Sequence, residues 1–438
     1  VAPFVAVFAG AVAHAQPRET LHEFVPDVRA DEAITLSAPG AEEPSAIFYD
    51  GEMIPAPNDG ALAEDERPMT AISGDGTGPD EAGRRSPTFR PDRITSLEGT
   101  LGYYSVFSPT IAPFKRVTAL DGVSLEDGVP VLHVFDEDRT PIQVVGVDSP
   151  APDDRPRDRF WGSVVLDFTN GREVPFPSVS PESRILTLRT EPHTALELRK
   201  DGADNVFVFA PAPLSANQVR VTFLTDAPRV YFNAEVLPEF RADHYAHEAR
   251  PLPSALQARA ETFARELGLT RETSVARAIS DLTRHFREFE ESDDPPEDTG
   301  DIYLDLSRGQ RGICRHRAYG FVITALGLGI PARFVMNEAH AWVEVKMHTV
   351  GWMRIDLGGS AEGLEAQNAD DRPVYRPAYP DPLPRPDVYE ASYSQLGGSV
   401  SGVRPDGASS TSPSGTTSTG PGTTSGDGDG TESSSSST

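Results

Sequence analysis

Between about residue 93 and residue 236, short β-branched runs alternate with turn residues. The runs 129–135, 142–147, 160–168, 184–188, 195–198, 206–209 and 219–224 carry apolar side chains at alternate positions or in short continuous blocks. Turn pairs such as Asn170-Gly171 and Asp201-Gly202 sit between them. Short strands at such regular spacing predict a β-sandwich-like domain over 93–236. The region contains no constellation of catalytic residue types, so support or substrate presentation is its expected role.

The period then changes to that of helices. Residues 254–267 place Leu256, Ala260, Phe263, Ala264 and Leu267 on one stripe, and 273–289 do the same with Val275, Ala278, Ile279, Leu282 and Phe286. The stretch 237–253 ahead of them reads as a linker. It holds Asp243, His244, His247 and Glu248, but two histidines without a further fixed ligand spacing are a weak zinc signal, and no metal site is expected. After the helices, residues 288–301 are rich in Asp and Glu around Pro295-Pro296, which predicts a solvated loop or an acidic rim that draws in cationic substrates. EF-hand spacing is absent.

The most informative stretch is 310–359. Gly312 permits a tight turn, after which Cys314 opens a helix with apolar positions Ala318, Phe321, Val322, Ala325 and Leu326. Gly327 and Gly329 can end that helix, and Pro331 forbids its continuation. Residues 332–335 read as a buried strand. His340, Trp342 and Glu344 then alternate with Ala341, Val343 and Val345, and Trp352, Arg354 and Asp356 alternate with Met353 and Ile355. A hairpin centred on His348 would set Glu344 opposite Trp352, Trp342 opposite Arg354 and His340 opposite Asp356, with the last pair on one face.

A cysteine at a helix N-terminus has its thiolate stabilised by unpaired backbone N–H groups. An imidazole alongside it makes a thiolate–imidazolium pair favourable near neutral pH, and a carboxylate on the other ring nitrogen fixes tautomer and orientation. Cys314, His340 and Asp356 therefore form an expected nucleophilic triad suited to acyl transfer through a thioester. The backbone N–H of Cys314 is the expected oxyanion donor, with Gln310 as a second. Trp342 and Trp352 are expected to pack near the site, Glu344 to face solvent, and His316 to lie at the surface or at a hinge.

These residues resemble the core of the transglutaminase-like superfamily. The order of signals is the same: a G-x-C-x-x-x-A helix, a G-I-P-A-R strand, an H-A-W-V-E-V strand and a G-W-x-x-I-D strand. The resemblance implies an α+β fold with a papain-like core over 254–363, its Cys-bearing helix packed on an antiparallel sheet and a β-domain placed before it. It implies Cys314 as nucleophile, His340 as general base and acid, and Asp356 as the orienting acid, with no cofactor. The implied substrate is a protein or peptide, with a glutamine donor and an amine or water acceptor. A cysteine peptidase or amidase on the same triad, and an idle surface binding protein, are the alternative readings. The three residues between the strand after Pro331 and His340 are fewer than in many relatives, which predicts a more open groove. No Trp stands upstream of the cysteine at the place of the oxyanion-stabilising Trp of the animal enzymes.

Charge and the chain's two ends narrow the setting. A net charge of −28 repels phosphate backbones, so nucleic acid is not an expected partner. Cys314 is the single cysteine, which excludes an intrachain disulfide and a Cys-rich zinc site. Residues 1–15 run apolar and end in A-H-A, the pattern of a residual signal peptide, so the protein is expected to be secreted, periplasmic or at the cell surface. No apolar run reaches the ~20 residues needed to span a bilayer. Residues 16–92 read as an acidic, mostly disordered segment with short apolar islands, 364–404 as a Pro-rich extension, and 405–438 as a disordered Ser/Thr/Gly-rich tail.

Overall fold

The computed structural model of the 438-residue chain describes residues 34–37, 44–49, 52–55, 69–70, 88–96, 100–108, 111–234, 240–348, 350–359, 363–367 and 375–389. The expected signal segment and the tail lie outside the described residues, as does most of the extension. Within the acidic segment, the apolar islands are strands. Ile34–Ser37, Pro44–Tyr49 and Glu52–Pro55 pair antiparallel in sequence order, and most of the rest of that segment lies outside the described residues.

The strand-rich region is organised by alternation. Strand β1 (Thr100–Tyr104) precedes β2 (Thr118–Leu120), which pairs with a strand of the helical half. The long strands β3 (Arg157–Asp167) and β4 (Gln218–Pro228) pair antiparallel over their whole length, from Arg157 opposite Pro228 to Asp167 opposite Gln218. Arg184–Glu191 flanks β4 on its other edge. A second sheet, ordered Thr140–Ile142, Glu197–Lys200, Val206–Phe209 and Glu173–Phe176, faces this one. Val164, Leu166, Val221 and Phe223 of the first sheet share one apolar core with Val174, Phe176, Leu198 and Val208 of the second, the arrangement of a sandwich.

The second half is a bundle of helices on a sheet. Helix α1 (Ser254–Glu266) buries Leu256, Ala260, Phe263 and Ala264. Helix α2 (Val275–Arg287) is capped by Ser274, whose side chain accepts the Arg277 N–H. Helix α3 (Ile302–Gly309) is capped in the same way by Asp301. It follows the acidic loop and was not foreseen, because eight residues show barely two turns of period. Helix α4 (Cys314–Leu328) is buried along its whole length, its apolar part following a first turn of Arg315, His316 and Arg317, and ends at Gly329 with φ 83°. Helices α1, α2 and α3 cover one side of α4, and the sheet covers the other. That sheet runs β7 (Gly351–Ile355), β6 (Ala341–Met347), β5 (Ala332–Met336) and β2, all antiparallel. The fold is α+β, with a transglutaminase-like arrangement of helix and sheet after the strand-rich region.

The two halves are not separable at the expected linker. Strand β2 comes from the sandwich region yet forms the edge of the sheet under α4, and β8 (Gly363–Gln367) returns to pair in parallel with β1. Phe89, Leu132 and Ala203 are buried in the same apolar core as α4. His244 and His247 in the linker are exposed, and their ring nitrogens lie 3.9 Å from Asp243 and Glu248 respectively. Among the described residues no helix is long and apolar enough to cross a membrane.

Candidate active site

Cys314 sits at the first position of α4, and the chain reaches it through Gly312. That residue has φ +147°, and a Cβ there would meet the Cβ of His316 at 2.6 Å, so glycine is required. The thiol is 3% exposed. His316 is fully buried and corrects the expectation of a surface residue. Its Nδ1 accepts the Ile313 N–H at 3.2 Å, which leaves Nε2–H to donate to Asp92 at 3.2 Å. Burial works to raise the Asp92 carboxyl, but His316 and Arg315 hold it well below the usual carboxylate range. The N-terminus of α4 is thus tied to a strand-rich segment more than two hundred residues upstream.

His340 stands just before β6. Its backbone N–H donates to the Asn337 side chain at 2.8 Å, and its carbonyl accepts the Asn337 N–H at 3.0 Å, a closed turn that fixes the ring's point of departure. Asn337 also donates to the carbonyls of Ala112 and Lys115. Asn337, Glu338 and Ala339 are all buried, so the short loop is packed under the upstream chain and does not open the groove as expected. Glu338 is paired with Lys115 and accepts the Tyr104 N–H at 2.7 Å.

Asp356 follows β7. The observed register sets Glu344 opposite Arg354, Lys346 opposite Trp352 and Met347 opposite Gly351. The hairpin is therefore centred one residue later than expected, and His340 and Asp356 are not directly opposed. The offset is even, however, so side-chain parity is kept and both still project to one face. His340 Nε2 lies 3.0 Å from Asp356 Oδ2 and 3.2 Å from Oδ1. The carboxylate further accepts from Gly358 N–H at 3.0 Å and from Arg354 Nη2 at 2.9 Å. Arg287 of α2 clamps the Asp356 carbonyl with Nε at 2.9 Å and Nη2 at 2.7 Å, a role that no local pattern announced.

The electrostatics follow from burial and these contacts. Burial alone would lower the His340 pKa, but the Asp356 carboxylate beside it overrides this and, with the neighbouring Cys314 thiol, raises it to about 9. Burial would raise Asp356, but His340, then Arg354 and the Gly358 N–H, hold it far below the usual carboxylate range. With Nε2 committed to Asp356, Nδ1 is the nitrogen left on the thiol side. It makes no hydrogen bond among the described residues.

The remaining expected site residues divide. Trp342 is fully buried and stacks near-parallel to the His340 ring at 6.3 Å, with the Arg354 guanidinium 4.0 Å above its ring. Trp352 is half-buried, packs toward the sandwich core and carries Arg333 at 3.8 Å, so it lies away from the imidazole. Glu344 is fully buried, not solvent-facing as expected: Arg116 donates to it at 2.8 Å and the Tyr231 hydroxyl at 2.9 Å. Gln310 caps α3 with φ 48°, and its side-chain amide donates to the His285 carbonyl at 3.0 Å, which anchors it to α2. The backbone N–H of Cys314 is also engaged, donating to the Gly359 carbonyl at 2.7 Å. Each expected oxyanion donor thus already holds a hydrogen bond within the protein.

Residues 261–357 match the family model described as the transglutaminase-like superfamily, and this part of the chain is a transglutaminase-like domain. No curated protein matches the sequence. Among solved structures, the chain is similar to the periplasmic domain of TgpA from Pseudomonas aeruginosa, at 15% identity over 62% of this chain and 93% of that one, with a TM-score of 0.38. The same domain bound to ethylmercury is similar at 17% identity over 62% and 95%, with a TM-score of 0.37.

Proposed function

We propose that the transglutaminase-like domain is a cysteine acyltransferase working through a thioester, with Cys314 as nucleophile, His340 as acid and base, and Asp356 as the group that orients the imidazole. The observation that carries this reading is the His340 ring itself. It is fully buried, anchored by Nε2 to Asp356, and presents Nδ1 to a thiol at a helix N-terminus.

The thiolate of Cys314 attacks the carbonyl carbon of a glutamine carboxamide; a C–S bond forms and the carbonyl π pair moves to oxygen. His340 passes its proton to the departing nitrogen and ammonia leaves, giving the thioester. An amine or water then attacks, His340 takes its proton, and collapse restores the thiolate. A glutamine side chain is favoured over a main-chain amide on steric grounds. The thiol is 3% exposed and the imidazole is covered, so a carbonyl at the end of an unbranched side chain reaches the sulfur with less displacement of protein than one flanked by two residues. The N-terminal sequence pattern supports export, to the periplasm, the cell surface or the medium.

Incubation of the full chain with a glutamine-containing peptide and a primary amine, read by mass spectrometry, tests the reading. Transamidation or deamidation that disappears in Cys314→Ala is the expected result. Peptide cleavage would replace it with a peptidase on the same residues. No turnover, together with ordinary alkylation of Cys314 by iodoacetamide at pH 6, would refute it in favour of an idle site.

A further inference from the structure

The reaction needs a hydrogen-bond donor for the oxygen that becomes negative when the thiolate adds, and Gln310 and the Cys314 N–H are both engaged elsewhere. A third group is present. Tyr103 lies on β1, in the strand-rich part of the chain, and is 1% exposed. Its strand is fixed on both sides of the site. The Tyr104 N–H is bonded to Glu338, two residues before His340, and Tyr103 itself is paired with Ala366 of β8. Tyr104 turns into the sandwich core, so on an extended strand Tyr103 points the opposite way, and it belongs to neither apolar core. Its hydroxyl makes no hydrogen bond among the described residues, and its charged and ionisable neighbours are Arg354, Cys314, Asp356 and Glu338.

A buried phenol usually finds a partner, because an unmet hydroxyl loses its hydrogen bond to water without replacement. Here the missing partner stands among the groups that would surround an acyl donor. We infer that the Tyr103 hydroxyl is a catalytic residue, donating its hydrogen bond to the acyl oxygen as the Cys314 thiolate adds to the carbonyl carbon. This inference rests on the acyltransfer reading. The hydroxyl keeps its proton throughout: the bond is donated to the oxyanion and withdrawn when the carbonyl re-forms. Burial, reinforced by the nearby acidic groups and opposed by Arg354, holds the phenol protonated well above its ordinary range, so it remains a donor at any working pH.

Tyr103→Phe removes the hydroxyl and keeps the ring. Two reactions of Cys314 separate its roles. Acylation by the p-nitrophenyl ester of a short carboxylic acid, followed by nitrophenolate release and by the mass of the thioester, passes through an oxyanion. Alkylation by iodoacetamide displaces iodide at a saturated carbon and builds none. The expected result is acylation slowed about 100-fold in Tyr103→Phe, the magnitude of losing one oxyanion donor, with the alkylation rate unchanged. Acylation slowed less than tenfold would overturn the assignment and leave the triad reading standing. A parallel fall in both reactions would also overturn it, since Tyr103 would then support the thiolate or the fold. A wild-type chain that is not acylated at Cys314 would remove the triad reading itself and this inference with it.

Discussion

Replacing Asp356 by Asn removes one charge and leaves a side chain of nearly the same shape. In the folded protein His340 has its pKa raised from 6.5 to about 9 against the effect of its own burial, chiefly by this carboxylate. The difference corresponds to about 3 kcal/mol of interaction favouring the imidazolium. Without the carboxylate only burial remains as a large influence, so the ring should titrate at or below its ordinary 6.5. At pH 8 the imidazolium fraction then falls from about nine-tenths to about three hundredths, and a turnover that needs His340 as acid should fall at least about thirtyfold. At pH 5.5 the fractions converge and most of that deficit should vanish. The sign for stability follows the same linkage. A raised pKa stabilises the fold fully below 6.5, and that stabilisation is lost as pH rises through about 9. The substitution should therefore destabilise more at pH 7 than at pH 10, by roughly 2–3 kcal/mol. Denaturant unfolding at the two pH values and a pH–rate profile of both proteins supply the test. An alkaline limb that stays near pH 9 in the variant, or a deficit independent of pH, would refute the coupling.

Glu344→Gln should cost about 3–5 kcal/mol in denaturant unfolding, because it leaves the Arg116 guanidinium, itself 1% exposed, without its carboxylate. Arg287→Ala should destabilise by about 3 kcal/mol through loss of the bonds to the Asp356 carbonyl and the Asp381 carboxylate. Arg287→Lys should restore little of this, since an ammonium cannot supply the two-pronged contact, and equal stability of the Lys variant and the parent would disprove that account. Gly312→Ala should slow Cys314 alkylation and lower the melting temperature, because its Cβ would collide with His316 at a φ of +147°. An unchanged alkylation rate in a folded Gly312→Ala protein would show that the turn is not needed to set the thiol.

The parts legible in the sequence were those written in local period. The stripes of α1 and α2, the glycine and proline that end α4, and the alternation of β6 and β7 all depend on residues within a few positions of one another. The parity of His340 and Asp356 was legible for the same reason. The hairpin centre was not, since the loop's geometry shifts the register by an even step without altering which face each side chain takes. Glu344 was misread because alternation alone cannot distinguish a solvated face from one covered by distant chain. Arg116 and Tyr231 meet it from far outside its strand. His316 was misread in the same way, its partner Asp92 lying 224 positions earlier. Helix α3 gave too short a pattern to stand out.

Those long-range contacts bear on how the site holds its charges. Lys115, Arg116, Glu338, Glu344, Arg354, His340 and Asp356 lie between the sandwich core and the helical core, and each of the seven is shielded from solvent. Separately, each would be costly to bury. Together they alternate in sign: Lys115 with Glu338, Arg116 with Glu344, Arg354 and His340 with Asp356. An imidazolium in an apolar site would shed its proton; in this layer it keeps one up to about pH 9. The strand-rich region supplies Lys115 and Arg116, and with them two of the cations that neutralise the layer. Its contribution is therefore electrostatic as well as mechanical. The helical half alone would leave Glu338 and Glu344 as buried carboxylates without Lys115 and Arg116, so it should not be stable without the strand-rich region.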